Sequence, residues 1–176
     1  SLAMIDIDFP DTAERGLAFW KKAVDPAEKA LLKVREWHQH NPRVSLRVYR
    51  TPKGLRLLRT DEPVAADTPE AERLLQELGN DPLYAALCKR QQCFRARLGP
   101  KPWRALLPLP PGRFPREGLK AVEFELWLAQ YELASAQFAA CRYLESLGED
   151  CIDRSLQALV AAHDQRSGAL TDRPLA

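Results

Sequence analysis

No Asp or Glu occurs between Trp37 and Thr60, and none occurs between Pro82 and Arg116. The first stretch holds six basic residues: Arg43, Arg47, Arg50, Lys53, Arg56 and Arg59. The second holds eight: Lys89, Arg90, Arg95, Arg97, Lys101, Arg104, Arg113 and Arg116. More than half of the 26 Lys/Arg residues therefore lie where there is no acid, and all 24 Asp/Glu lie elsewhere. A net charge of +2 conceals this split. Segregation of this kind points to an anionic ligand, phosphate or nucleic acid.

Other absences narrow the field. No apolar run approaches the roughly 18 residues of a membrane span. No basic region followed by an apolar run marks a signal peptide. The chain begins Ser-Leu-Ala, so a longer chain with an anchor upstream of Ser1 stays an open alternative. The four cysteines, Cys88, Cys93, Cys141 and Cys151, form no CxxC pair, and His38, His40 and His163 fall at no zinc-ligand spacing. Free thiols in a reducing cytoplasm are the expectation. Walker, GxGxxG and GxSxG motifs are missing, which excludes the families that carry them.

What is present suits one domain with a real core: 176 residues, 45% apolar. Met4-Ile5-Asp6-Ile7-Asp8 alternates as a strand, and Pro10-Asp11-Thr12 breaks it. Helical pattern runs from about Ala13 to His40, with a restart at Asp25-Pro26. Residues 44–60 read as a hairpin turning at Thr51-Pro52-Lys53-Gly54. Helices are expected over 67–78 and from Asp81-Pro82 to about Arg90, followed by a strand at Cys93–Leu98. Six prolines keep 99–115 extended, with room for a short edge strand at 103–107. The spacing then predicts a long helix over 116–147 and a last one over 153–166.

The predicted class is α+β: a ferredoxin/RRM-like β-α-β-β-α-β sheet with a C-terminal helical extension. Residues 1–115 form the sheet domain with its proline-rich loop 99–115, residues 116–168 a helical pair packed on it, and 169–176 a tail. The helix at 116–147 is apolar beyond one stripe, so it is sandwiched in the fold or offers a surface to a protein partner or a homodimer.

Alternation assigns the sheet's faces. With Ile5 and Ile7 inward, Asp6 and Asp8 point outward, as do Arg47, Tyr49, Arg56, Arg95 and Arg97. Carboxylates two apart on a strand lie about 7 Å apart at Cα and can converge on Mg²⁺ or Mn²⁺. Arginines beside them can hold phosphates. The alternative is cross-strand ion pairing on a solvated face. Lys101-Pro102-Trp103-Arg104 sets an aromatic between two cations, a pattern that can stack a base and clamp a phosphate, or simply plug the core edge. His163-Asp164 resembles half of a catalytic pair without a nucleophile placed beside it.

The strand Met4–Asp8, a helix, and then Tyr49-Arg50-Thr51-Pro52-Lys53-Gly54-Leu55-Arg56-Leu57 resembles the primase–polymerase group of the archaeo-eukaryotic primase superfamily, over the first third of the chain. The resemblance implies an RRM-like core, Asp6 and Asp8 as ligands of catalytic metal, and nucleotidyl transfer. The family's second-motif histidine is replaced at or beside Arg56, and Cys93–Leu98 carries arginines where a third-motif Asp would stand, as in a degenerate relative. Residues 93–104 also resemble a stretch of bacterial proteins of unknown function.

Three readings follow. The first is a module that binds nucleic acid or a phosphorylated ligand through Arg47, Tyr49, Arg56, Arg95, Arg97, Lys101, Trp103 and Arg104. The second is a primase-like, metal-dependent nucleotidyltransferase. The third is a non-catalytic scaffold.

Overall fold

The computed structural model describes residues 1–9, 25–80 and 82–176. The expected Pro10-Asp11-Thr12 break, the helical stretch 13–24 and the expected helix start at Asp81 lie outside these residues.

Strand β1 is Met4–Asp8, followed by helix α1 at Pro26–His40. Asp25 caps α1 by accepting the Ala27 N–H at 3.0 Å, and Pro26 occupies its first turn. Strands β2 (Leu46–Thr51) and β3 (Gly54–Arg59) form the hairpin. Gly54 is required there: a Cβ would stand 2.0 Å from the Ile7 carbonyl oxygen, because β1 pairs closely with β3. Helix α2, Pro69–Glu77, starts on Thr68 and buries Ala71, Leu74 and Leu75 on one stripe. Helix α3 is Pro82–Gln91.

Beyond α3 the chain departs from expectation. Cys93–Leu98 forms no strand and joins no ladder. A side chain holds it instead: the Tyr84 hydroxyl accepts the Arg95 N–H at 3.2 Å and lies 2.9 Å from the Arg95 carbonyl and 3.1 Å from that of Met4. Residues Pro102–Ala105 form a 3-10 turn rather than an edge strand.

The long helix is also shorter than predicted. Helix α4 is Leu119–Ser135, and the fourth strand, β4, is Arg142–Leu147. Apolar spacing over 136–147 suits a helix, but the free edge of β2 takes the segment as a strand. A bulge between Val48 and Tyr49 absorbs a register shift there. Helix α5 follows at Gln157–Ser167. The expected helical pair is thus two helices separated by a strand. The expected tail is docked: Ala139 bridges Leu175, and Ala176 is 6% exposed.

The molecule is α+β, with an antiparallel sheet in the order β1-β3-β2-β4. The fourth strand lies beside β2, so the ferredoxin/RRM-like order is not reproduced. Ile5, Leu46, Val48, Leu55 and Leu57 pack on one face against Val34 of α1 and Leu74 and Leu75 of α2. Tyr49 and Leu58 pack on the other against Leu156, just before α5, and Val160 within it. That second face is covered over its β2 side. Among the described residues no helix is long and apolar enough to cross a membrane.

Candidate functional site

The register places Asp6, Arg56, Tyr49 and Tyr143 in one row across all four strands. Period-two alternation puts these side chains on the second face. Helix α5 divides the row into two chemically different halves.

On the β2–β4 side the polar groups are consumed. Helix α5 buries Val160, His163, Asp164 and Ser167, spaced three, four and seven apart on one stripe. Asp164 accepts from Tyr49 Oη at 2.7 Å, from Arg47 Nη2 at 2.8 Å and from His163 Nδ1 at 3.0 Å. Burial opposes its charge, but these donors together hold the carboxyl below the usual range. Tyr49 is fully buried, and burial pushes its hydroxyl well above the ordinary value. Arg47 stacks on Tyr143 with its guanidinium 4.5 Å from the ring centroid. Arg47 and Tyr49 therefore tie α5 to the sheet through Asp164.

The same cluster supplies the neighbour that His163-Asp164 lacked in the sequence. Cys141 Sγ lies 3.9 Å from His163 Nε2, an arrangement of thiol, imidazole and carboxylate. Cys141 is 0% exposed, and burial pushes its thiol up. A reactive cysteine needs the opposite: access and a depressed value. The cluster acts as a polar clamp within the core.

On the β1–β3 side a cavity of about 480 Å³ opens, within the size range of small-molecule sites. Asp6, Asp8, Lys53 and Arg56 come to it from the sheet and its hairpin turn. Arg97, Lys101 and Arg104 come from the segment after α3, Arg104 from its 3-10 turn. Five cations thus meet two carboxylates. Gly99 also lines the wall, where a Cβ would stand 2.6 Å from the Tyr131 hydroxyl of α4. That hydroxyl donates to the Pro100 carbonyl at 2.8 Å and fixes the segment to α4.

Arg56 organises this half. It is 4% exposed, and it donates from Nε to Asp6 Oδ1 at 2.8 Å and from Nη2 to Oδ2 at 3.1 Å. Its Nη1 donates to the Arg97 carbonyl at 2.9 Å and so draws the 93–98 segment to the sheet. Burial alone would lower its pKa, but the bonds to Asp6 and the carboxylate's charge raise it, so Arg56 stays charged. Asp6 is also fixed through its backbone, whose N–H donates to Asn80 Oδ1 at 2.9 Å. By contrast, no ion pair to Arg97, Lys101 or Arg104 exists among the described residues. The Lys101 ammonium lies 5.4 Å from the centroid of Trp103, which is 57% exposed.

Of the residues expected from sequence, Asp6, Asp8, Arg56, Arg97, Lys101 and Arg104 share this cavity. Arg95 is exposed and does not line it, and Trp103 sits between two residues that do. Lys53 and Tyr84 were missed as lining residues, although Lys53 lies in the first acid-free stretch. Both oxygens of Asp6 accept from Arg56, and among the described residues no three His, Cys, Asp or Glu gather as a metal site.

Neither a protein-family model, nor a curated protein, nor a solved structure matches the chain.

Proposed function

We propose that this protein binds a small phosphorylated ligand, about the size of a nucleotide, in the cleft between β1, the hairpin turn and the 97–104 segment. The observation that carries the reading is the set Arg97, Lys101 and Arg104 converging on one cavity without carboxylate partners among the described residues. Cations gathered in a recess at low local dielectric attract an anion more strongly than the same charges spread on a surface. Phosphate suits them because arginine can grip two of its oxygens at once. Arg56, neutralised by Asp6, forms a rigid wall rather than the main attraction.

A second reading has one observation in its favour. Trp103 is exposed beside Lys101, so a single nucleic-acid strand could run from the cleft over the rim and stack a base there. The metal-dependent nucleotidyltransferase reading has less support, because Asp6 is already committed to Arg56.

Calorimetric titration with orthophosphate, pyrophosphate, tripolyphosphate and an oligothymidylate tests both readings. The cleft reading expects affinity to rise with phosphate number, to fall with added salt, and to gain little from the oligonucleotide. Much tighter binding of the oligonucleotide favours the strand reading. Affinity indifferent to salt and to phosphate number contradicts both.

A further inference from the structure

Helix α4 presents two unlike faces. Phe124, Trp127 and Tyr131 stack in a column with ring centroids 5.8 and 5.2 Å apart. The column faces the proline-rich segment: Trp127 donates to the Pro108 carbonyl and Arg116 covers the Phe124 ring. The other face carries Leu119, Val122, Leu126 and Leu133, which are 82%, 58%, 64% and 76% exposed. With Ala129 these positions follow the alternating three- and four-residue spacing of a coiled-coil seam. No α4 residue is buried.

We propose that this seam pairs with the α4 helix of a second copy of the chain, parallel and in register. Two observations choose that occupant. First, Leu119, Leu126 and Leu133 recur every seven residues, so a copy in register meets each leucine with its own equivalent. Second, the flanking charges accept one orientation. In a parallel pair Glu125 faces the partner's Gln130, and Glu123 faces the partner's Gly118, so no acid meets an acid. An antiparallel pair brings Glu125 against the partner's Glu125, a like-charge contact. Leu106, Leu109 and Phe114, each at least two-thirds exposed, lie in the segment leading to α4 and add apolar surface there.

The test is molecular mass in solution by light scattering, for wild type and for Leu126→Glu. The seam is exposed in the single chain, so this variant keeps the fold, which circular dichroism checks. A wild-type dimer that becomes a monomer in Leu126→Glu is the expected result. A wild-type monomer at high concentration overturns the proposal and leaves the seam to a different protein. A dimer that persists in a Leu126→Glu/Leu133→Glu double variant also overturns it, because the contact then lies elsewhere. Orientation is read separately from Ala129→Cys in a Cys151→Ala background. Rapid disulfide cross-linking through residue 129 is expected of the parallel pair, and a dimer that does not cross-link there contradicts that orientation.

Discussion

Arg56 grips Asp6 with two hydrogen bonds, 2.8 and 3.1 Å, across the β1–β3 pair. The partners are unequally covered: the Arg56 side chain is 5% exposed and that of Asp6 is 38% exposed. Removing one partner therefore differs from removing the other. Asp6→Asn leaves a buried guanidinium without its counter-charge and is expected to cost about 3 kcal/mol. Arg56→Met leaves a carboxylate that water already reaches and is expected to cost clearly less. Urea denaturation of the two variants measures the difference. Equal costs contradict the assignment of Arg56 as a buried, Asp6-dependent charge.

Asp164 gives the fold an acid limit. Its folded pKa is depressed, so its contribution to stability is fully present above the unfolded value of about 3.9 and is lost as pH falls through the folded value. Asp164→Asn is expected to cost about 3 kcal/mol at neutral pH, because Arg47 loses its counter-charge and one of the two acceptor oxygens becomes a donor. The gap between wild type and variant should stay constant from neutral pH to mildly acid conditions and narrow only below about pH 4. A gap that narrows near neutrality would mean that another group controls the clamp.

Cys141 and Cys151 should differ sharply toward a thiol reagent. Cys151 is exposed, whereas Cys141 is fully buried with its pKa pushed up. Cys151 is expected to react at once in the native protein, and Cys141 only as fast as the protein unfolds. Native-state labelling of Cys141 at the rate of Cys151 would reopen the cluster with His163 and Asp164 as a reactive site.

Lys101→Gln and Arg104→Gln should separate binding from stability. Neither side chain has an ion pair among the described residues, so each substitution is expected to shift stability by no more than about 0.5 kcal/mol. Each should weaken tripolyphosphate binding and flatten its salt dependence. Thermal unfolding and titration on the same samples check both parts.

Much of this arrangement was legible in the sequence where the signal was local. β1, the hairpin and α2 follow from alternation, the Thr51-Pro52-Lys53-Gly54 turn and the Thr68-Pro69 start. β4 was not legible, because its strand state comes from the open edge of β2, a distant partner that spacing cannot reveal. The acid-free stretches identified the cleft's cations, since charge segregation is visible in composition. Strand alternation placed Arg47 and Tyr49 on the same face, where they bond Asp164 of α5. A signal for that existed: His163 and Asp164 share a stripe with Val160, and polar groups on an apolar stripe need buried partners. Nothing local says that those partners lie on β2.

The proposed phosphate site is tested most directly by one comparison. Tripolyphosphate is titrated into wild type, into Arg97→Gln/Lys101→Gln/Arg104→Gln, and into Arg43→Gln/Arg90→Gln/Arg113→Gln. The second set removes three exposed arginines from the same acid-free stretches, none of which lines the cavity. A loss of at least about tenfold (about 1.4 kcal/mol) in the cleft variant, with near wild-type binding in the control, is the expected result. Equal losses in the two variants, or none in the cleft variant, would contradict a phosphate site in this cleft.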